Sequence, residues 1–540
     1  MRWWGWGADG AGTGLPAHAR EFLEQRIGAG ARPREHVPLE QVRVEPSRLP
    51  ERARAALAAI VGEGGVREDH PERVLHAAGK GYPDLVRLRA GTPDGAPDAV
   101  LHPRGHEQVA AVLERCAQES VAIVPFGGGT SVVGGVAPLR GRHAAVVSLD
   151  MRGLGELIAL DDTSATATVG AGMRAPALER ALAPHGLTLG HFPQSYEYVS
   201  LGGCAATRSA GQASTGYGAI EKMVLGLRLA APAGEIALPA LPATAAGPGM
   251  RGLLVGSEGA LGVITELALR VRPAAAARSY EGMFFRDFET GCEALRALAR
   301  AHALPDVARL SDRAETEVSL ALAGDGGVKG RVGRAYIGAR GYADGCIAIL
   351  GFEGDRHEVP ARRRRAMRLL RRAGGLGLGS SPGEAWQHGR FAAPYLRDDL
   401  LDAGVMVETL ETATRWSNVG HLHRAVRDAI AGALDAQGTP GIVMCHVSHV
   451  YETGASLYFT FIARQIEGAE IEQWRIVKRA ACDAIEDNGG TITHHHAVGV
   501  DHVPWMEREI GASSLQAIAG AKERLDPAGI MNPGKLLPTG

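Results

Sequence analysis

Pro125-Phe126-Gly127-Gly128-Gly129-Thr130-Ser131-Val132-Val133-Gly134-Gly135 follows an apolar run at 121–124 that reads as a buried strand. Three consecutive glycines let backbone N–H groups approach an anion closely and take positive φ without a Cβ clash. Thr130 and Ser131 add hydroxyl donors, so the stretch suits a pyrophosphate, with a flexible turn as the plain alternative. No Lys-Ser or Lys-Thr follows the last glycine, which excludes a Walker loop, and the G-x-G-x-x-G fingerprint is not spelled either.

A second glycine-rich stretch, Gly256-Ser257-Glu258-Gly259-Ala260-Leu261-Gly262-Val263-Ile264-Thr265, runs into a strand expected over 263–271. The chain has 540 residues, enough for two or three domains. Its 45% hydrophobic and 22% charged content is that of a globular protein with ample core. A formal net charge of −2 gives no overall pull toward nucleic acid. The cysteines are scattered, with no C-x-x-C pair, so neither a zinc site nor a disulfide framework is expected and a reducing cytoplasm is the default. No apolar run approaches the ~20 residues that span a bilayer. The start, Met1-Arg2-Trp3-Trp4-Gly5-Trp6-Gly7, lacks the apolar core of a signal peptide, and its tryptophans are expected to pack back onto the body.

Residues 1–93 read as a helical segment with helices at 17–26 and 47–61. From 99 the pattern becomes strand (99–101), helix (106–118) and strand (121–124), then strands at 144–149 and 166–169. A helix carrying Leu178, Leu182 and Leu187 leads toward His191, and one α+β unit closes at 274. Strands at 280–285 and 346–352 flank a helix at 290–302 and open a second domain, 275–485, built on a mainly antiparallel sheet. A basic helix covers 362–372; a solvated face is its expected role, with contact to acidic lipid headgroups as the alternative. Residues 486–540 complete the chain.

Three constellations carry candidate chemistry. His494-His495-His496, read as strand residues, would alternate in direction, so the three cannot share one metal and no metal site is expected. An acid/base or hydrogen-bonding role suits them better, with structural burial as the competitor. In Ala455-Ser456-Leu457-Tyr458-Phe459-Thr460-Phe461, alternation sends Leu457, Phe459 and Phe461 to the core and leaves Tyr458 and Thr460 to line a cavity. Tyr458 can act as a base only if nearby cations lower its pKa; the histidines and Arg397 are candidates for that. Arg397, in Pro394-Tyr395-Leu396-Arg397-Asp398-Asp399, either pairs with a neighbouring aspartate on the surface or turns its planar fork to a phosphate.

The two glycine stretches resemble the flavin-binding half of the vanillyl-alcohol oxidase superfamily. From about residue 95 onward, the pieces and their order resemble the alkyldihydroxyacetonephosphate synthase family. The resemblance implies an α+β fold: a PCMH-type FAD-binding domain at 94–274, a second α+β cap domain for substrate, and the helical N-terminal segment. It implies flavin contacts from residues 125–131, from Gln194-Ser195-Tyr196-Glu197-Tyr198-Val199-Ser200, from Thr207-Arg208-Ser209-Ala210 and from 258–264. By the same resemblance Tyr458 is the catalytic acid/base, Arg397 holds the substrate phosphate, and His494, His495 and His496 support the reacting centre. Arg309 matches an arginine the family needs for activity. Glu408-Thr409-Leu410-Glu411-Thr412 belongs to the same pattern.

Two departures stand out. Where the family reads Gly-Val-Gly-Lys after the histidines, Ala497-Val498-Gly499-Val500 lacks the lysine, removing a positive charge expected near substrate. The 127–129 loop also lacks a histidine that could tether the flavin, so FAD is expected without a covalent bond. The expected activity is exchange of the acyl group of acyl-dihydroxyacetone phosphate for a fatty alcohol, without net redox. The alternative is an FAD-linked oxidase or dehydrogenase of a 2-hydroxy acid or alcohol; a flavin-binding module without turnover is a third reading. Expected partners are small-molecule lipid substrates, a second copy of the chain and, peripherally, a membrane; nucleic acid is not among them. The expected location is the cytoplasm.

Overall fold

A computed structural model describes residues 1–12, 14–28, 35–322, 335 and 337–538. Four strands build the first sheet: β1 (Val66–Arg67), β2 (Ala99–Leu101), β3 (Val121–Phe126) and β4 (Ala145–Asp150), in the order β1-β2-β4-β3. The last three are parallel and almost entirely buried, which is why they read as continuous apolar runs without alternation. The helix His106–Glu119 connects β2 to β3.

The chain then lays down β5 (Leu157–Asp161), β6 (Thr166–Gly170), β7 (Leu187–Thr188), β8 (Val224–Ala231), β9 (Gly234–Leu238), β10 (Val263–Arg270) and β11 (Arg272–Pro273). Five of them form an antiparallel sheet, β5-β6-β10-β8-β9, while β7 and β11 pair separately. The helix expected to carry Leu178, Leu182 and Leu187 stops at Leu182; a 3-10 turn with Pro184 follows, Gly186 takes φ +66°, and Leu187 opens β7.

The second half is organised on one seven-stranded antiparallel sheet. Its strands are β12 (Ala277–Phe285), β13 (Val307–Ser311), β14 (Cys346–Gly354), β15 (Leu376–Gly379), β16 (Val405–Arg415), β17 (Gly441–Val450) and β18 (Gly454–Arg464), ordered β15-β12-β14-β13-β17-β18-β16. Helices Phe288–Arg300, Glu358–Arg372, Val419–Ala436 and Glu470–Asp487 pack on one face. Leu457, Phe459 and Phe461 face them, fully buried, as alternation predicts. The opposite face is left for a cavity. The basic helix is partly tied down: Arg362 bonds Asp306, Arg363 bonds Glu281 and Arg365 donates to the Ala301 carbonyl, while Arg364, Arg368, Arg371 and Arg372 are exposed.

Segments distant in sequence close the molecule. Trp6 is 3% exposed and its N–H donates to Asp398 Oδ2 at 2.5 Å, so the tryptophan-rich start does pack back. Helix Ala17–Ile27 buries Leu23 and Ile27 against Val405, Met444 and Ile462. At the other end, Ile123 in β3 donates to Ile530 at 2.8 Å and accepts from Asn532 at 2.8 Å.

The glycine stretch leaves β3 under tight contact. A Cβ on Gly128 would stand 2.4 Å from the Tyr198 carbonyl oxygen, and Gly129 takes φ +64°. Gly128→Ala must therefore displace backbone, at a cost of about 1–3 kcal/mol. Thermal unfolding should show its Tm lowered by a few degrees. Gly252→Ala, where the new methyl meets open space in a helix, should leave Tm unchanged or slightly raised.

Candidate active site

One cavity of about 510 Å3 runs from the glycine stretch of the first half to the open face of the seven-stranded sheet. Residues 125–131 form one wall together with Gln194, Ser195, Val199, Ser200, Thr207, Ser209 and Ala210, and with 258, 259 and 262–264. The wall is mostly backbone. A Cβ on Gly259 would meet the Pro125 ring at 2.9 Å, so the two glycine stretches touch directly. A pyrophosphate needs backbone that can approach it closely, and the glycines of this wall, with no room for a Cβ at Gly128 and Gly259, fit the FAD implied by the sequence.

Six of the expected flavin residues lie behind that wall. Tyr196 stacks on Phe391, Tyr198 meets Trp6 edge-on, and Glu197 accepts from Trp6 Nε1 and Tyr395 OH. Arg208 is exposed and donates to the Gly252 carbonyl, while Ala260 and Leu261 are core residues.

The facing wall follows from strand alternation. Val307 and Arg309 of β13, Met444, His446 and Ser448 of β17, Tyr458, Thr460 and Ile462 of β18, and Val407 and Thr409 of β16 all line the cavity. His446 is paired directly with Tyr458, and Val407 with Ile462. The wall is therefore polar at Tyr458 and His446 and apolar at Val407, Met444 and Ile462. The apolar end continues through Leu23, Val318 and Leu400. A bulge between Val447 and His449 breaks the alternation, so His446 and His449, three residues apart, both reach the cavity.

The histidine loop is not a strand. Residues 494–496 form a bend, because the Glu411 carboxylate gathers the backbone N–H groups of His494, His495 (3.0 Å) and His496 (2.6 Å) and the Thr493 hydroxyl (2.9 Å). Glu258 makes a second tie, accepting from Val498 N at 2.8 Å and Gly499 N at 2.7 Å. Burial pushes both carboxyls up to about 7 against these donors. Alternating directions therefore no longer separate the rings. Nitrogens of His449, His494 and His495 lie within 4.8 Å of one another, which removes the alternation argument against a shared metal. His495 and His496 line the cavity; His494 stands behind, bonded to Tyr451 OH at 2.5 Å and to His495 Nδ1 at 2.8 Å.

These imidazoles are neutral at neutral pH. Burial lowers His496 to about 3 and His449 to about 4, and takes His494 and His495 well below the ordinary value. They cannot lower the tyrosine as expected from sequence. Burial instead raises Tyr458 to about 12, so it holds its proton.

The cations divide in two. Arg309 donates to Glu315 Oε1 at 2.6 Å, and His446 Nδ1 meets the same oxygen at 3.0 Å. Burial opposes ionisation of Glu315, but Arg309 and His446 outweigh it and hold that carboxyl at about 2. Arg397, on helix Ala393–Asp402, is buried; its Nη1 donates to the Lys80 carbonyl at 2.6 Å, while Nε and Nη2 have no partner among the described residues. The alternative of a surface pair with Asp398 fails, because Asp398 takes Arg2 and Trp6 N. Lys80 lines the cavity nearby, lowered to about 7 by burial and then by Arg397. Val500 packs on Gly134 and is not among the residues that line the cavity.

Lys80, Glu315, His446, His449 and the tying role of Glu411 were not foreseen. Only Glu411 had a signal, through the motif at 408–412.

Comparison with known proteins places this site in a family. Residues 97–237 match the family described as FAD binding domain, and residues 274–536 match FAD linked oxidases, C-terminal domain. FAD is the cofactor of this chain. The chain is 35% identical over 491 residues to the alkyldihydroxyacetonephosphate synthase of Trypanosoma brucei brucei, covering 89% of this chain and 80% of that one. The synthase of Dictyostelium discoideum is 34% identical over 509 residues, covering 93% and 83%. A solved alkyldihydroxyacetonephosphate synthase superposes with a TM-score of 0.87 at 29% identity, covering 99% of each chain. With its cofactor wall, its tyrosine and its histidine loop in one cavity, the chain belongs to the alkyldihydroxyacetonephosphate synthase family.

Proposed function

We propose that the protein is an FAD-dependent transferase that exchanges the acyl group of acyl-dihydroxyacetone phosphate for a fatty alcohol, an ether-forming step of lipid synthesis. The observation that carries this reading is the order of chemistries along one cavity. A flavin wall, an arginine with unpaired N–H groups and a tyrosine meet an apolar passage. When bound, FAD supplies an electrophilic centre and undergoes no net redox change; the loop that holds it has no histidine to tether it covalently.

Arg397 takes the phosphate through its two unpaired nitrogens, and Lys80 adds charge beside it. Tyr458, kept protonated by burial, starts as the acid that serves the substrate's reacting carbon and ketone. His495 and His496, uncharged, offer hydrogen bonds to that centre, with His494 bracing them. Arg309, neutralised by Glu315, supports the site without gripping an anion. Leu23, Val318, Val407, Met444 and Ile462 take the alkyl chain and exclude water. The same reading includes a cytoplasmic homodimer that touches membranes peripherally, to be checked by sedimentation and vesicle flotation. No helix among the described residues is long and apolar enough to cross a membrane.

Arg397→Lys keeps the charge and loses the two-pronged donor. About 1.5–3 kcal/mol of charge-assisted hydrogen bonding is at stake, so KM for the phosphorylated substrate should rise roughly ten- to a hundred-fold. Flavin content should stay unchanged; an unaltered KM would return Arg397 to a structural role.

The purified enzyme, yellow and yielding free FAD on acid precipitation, should convert palmitoyl-dihydroxyacetone phosphate and hexadecanol to the ether product under strict anaerobiosis. It should need no electron acceptor and accumulate no reduced flavin. Anaerobic bleaching by D-lactate or glycolate, with no ether product, would establish the oxidoreductase reading in its place.

A further inference from the structure

Ether formation requires the loss of a proton that the tyrosine is poorly placed to take. A fatty alcohol enters as R–OH, and its oxygen must shed that hydrogen as the new C–O bond forms. Tyr458 holds its own proton, and a protonated phenol accepts none. The tyrosine becomes an acceptor only after giving its own proton up, so the resting site needs another acceptor where the alcohol's hydroxyl arrives.

His446 meets that requirement by position. Along β17 it follows Met444, and across the sheet it faces Tyr458, with Thr460 paired to Met444. This is the level at which the apolar passage turns polar, so a chain lying along Ile462, Val407 and Met444 brings its terminal hydroxyl there. The imidazole lies nearly flat against the Tyr458 ring, with centroids 4.9 Å apart.

Its proton state is set by geometry. Glu315, an ionised carboxylate, can only accept, so Nδ1 of His446 carries the hydrogen in their 3.0 Å contact. The neutral ring then presents the Nε2 lone pair, which makes no hydrogen bond among the described residues. Arg309 holds Glu315 from the other side at 2.6 Å. Burial, then the Arg309 charge, keeps the imidazole below its ordinary pKa, with Glu315 and Asp312 opposing. Carboxylate, imidazole and open nitrogen form the arrangement that activates a hydroxyl in general-base catalysis.

We propose that His446, oriented by Glu315, is the catalytic base for the incoming alcohol, an assignment that rests on the transferase reading. The bond between the dihydroxyacetone carbon and the ester oxygen breaks, with its electron pair leaving on the fatty carboxylate. The alcohol oxygen supplies the pair for the new C–O bond, its O–H bond breaks, and the proton passes to Nε2 and then to solvent. Nothing is oxidised or reduced. Glu315 acts through His446 as a positioning residue.

The test uses two nucleophiles in the flavin-loaded enzyme. Hexadecanol must lose a proton to react, whereas labelled palmitate, exchanging into palmitoyl-dihydroxyacetone phosphate, arrives already ionised. His446→Gln should cut ether formation by about 10²–10⁴-fold while palmitate exchange stays within about three-fold, since only the former needs the base. Tyr458→Phe should depress both reactions. In His446→Ala, added imidazole should restore ether formation selectively. Equal loss of both reactions in both His446 variants, or ether formation unaffected by them, overturns the assignment. Wild-type enzyme that exchanges palmitate but forms no ether overturns the transferase reading and this base with it.

Discussion

The Glu411 carboxylate, clasping the successive backbone N–H groups of three histidines, is the contact on which the site depends. Consecutive amides converge on one point only when the chain bends, so this grip turns a stretch with strand-like composition into a loop. Burying a carboxylate costs several kcal/mol unless its oxygens are satisfied. Four donors satisfy these, and removing the acceptor would leave each of them orphaned. Glu258 repeats the device two residues on, at Val498 and Gly499, and from the opposite half of the molecule. The loop is thus suspended between the sheet that carries Tyr458 and the segment that carries the second glycine stretch. Its two tethers join the glycine-rich wall to the sheet wall that carries Tyr458.

Electrostatics inside the cavity follow from the same burial. Uncharged histidines surround a protonated tyrosine, so the reacting centre has little fixed charge of its own. Charge sits at two separate places. Arg309 is matched by Glu315 in a direct ion pair, while Arg397 keeps two N–H groups without a partner among the described residues and Lys80, lowered to about 7, donates to the Arg2 and Trp3 carbonyls. On the proposed function, a phosphorylated substrate is oriented by the Arg397 end of the cavity and its apolar chain by the other.

What could be read from the sequence was local. The run at 121–124, the glycines after it and the alternation of 457–461 are properties of neighbouring residues, and the structure places them as expected. Arg397 was readable only as a choice, and the structure removes one arm of it: the side chain is buried and donates to the Lys80 carbonyl, while Asp398 takes Arg2 and Trp6 N. The missed residues depend on tertiary events. His446 and His449 share a cavity because of a bulge that no composition signals. The conformation of 494–496 is dictated by a carboxylate 83 residues upstream of His494, so strand alternation gave the wrong geometry for rings that in fact cluster. Lys80 carries no motif; its proximity to Arg397 arises from the fold alone.

The pairing of β3 with residues 530–532 has a consequence for biosynthesis. The strand that launches the glycine stretch emerges early from the ribosome, yet Ile123 finds both of its backbone partners at Ile530 and Asn532, some four hundred residues later. Asn532 also donates to the carbonyls of Gly135 and Glu258, joining the two glycine stretches. The two glycine stretches are therefore joined by a segment made some four hundred residues after the strand that launches the first. Until that segment is made, Ile123 lacks both of these backbone partners and the two glycine stretches lack the side chain that joins them, so this wall takes its final form only after the second half of the chain has been synthesised.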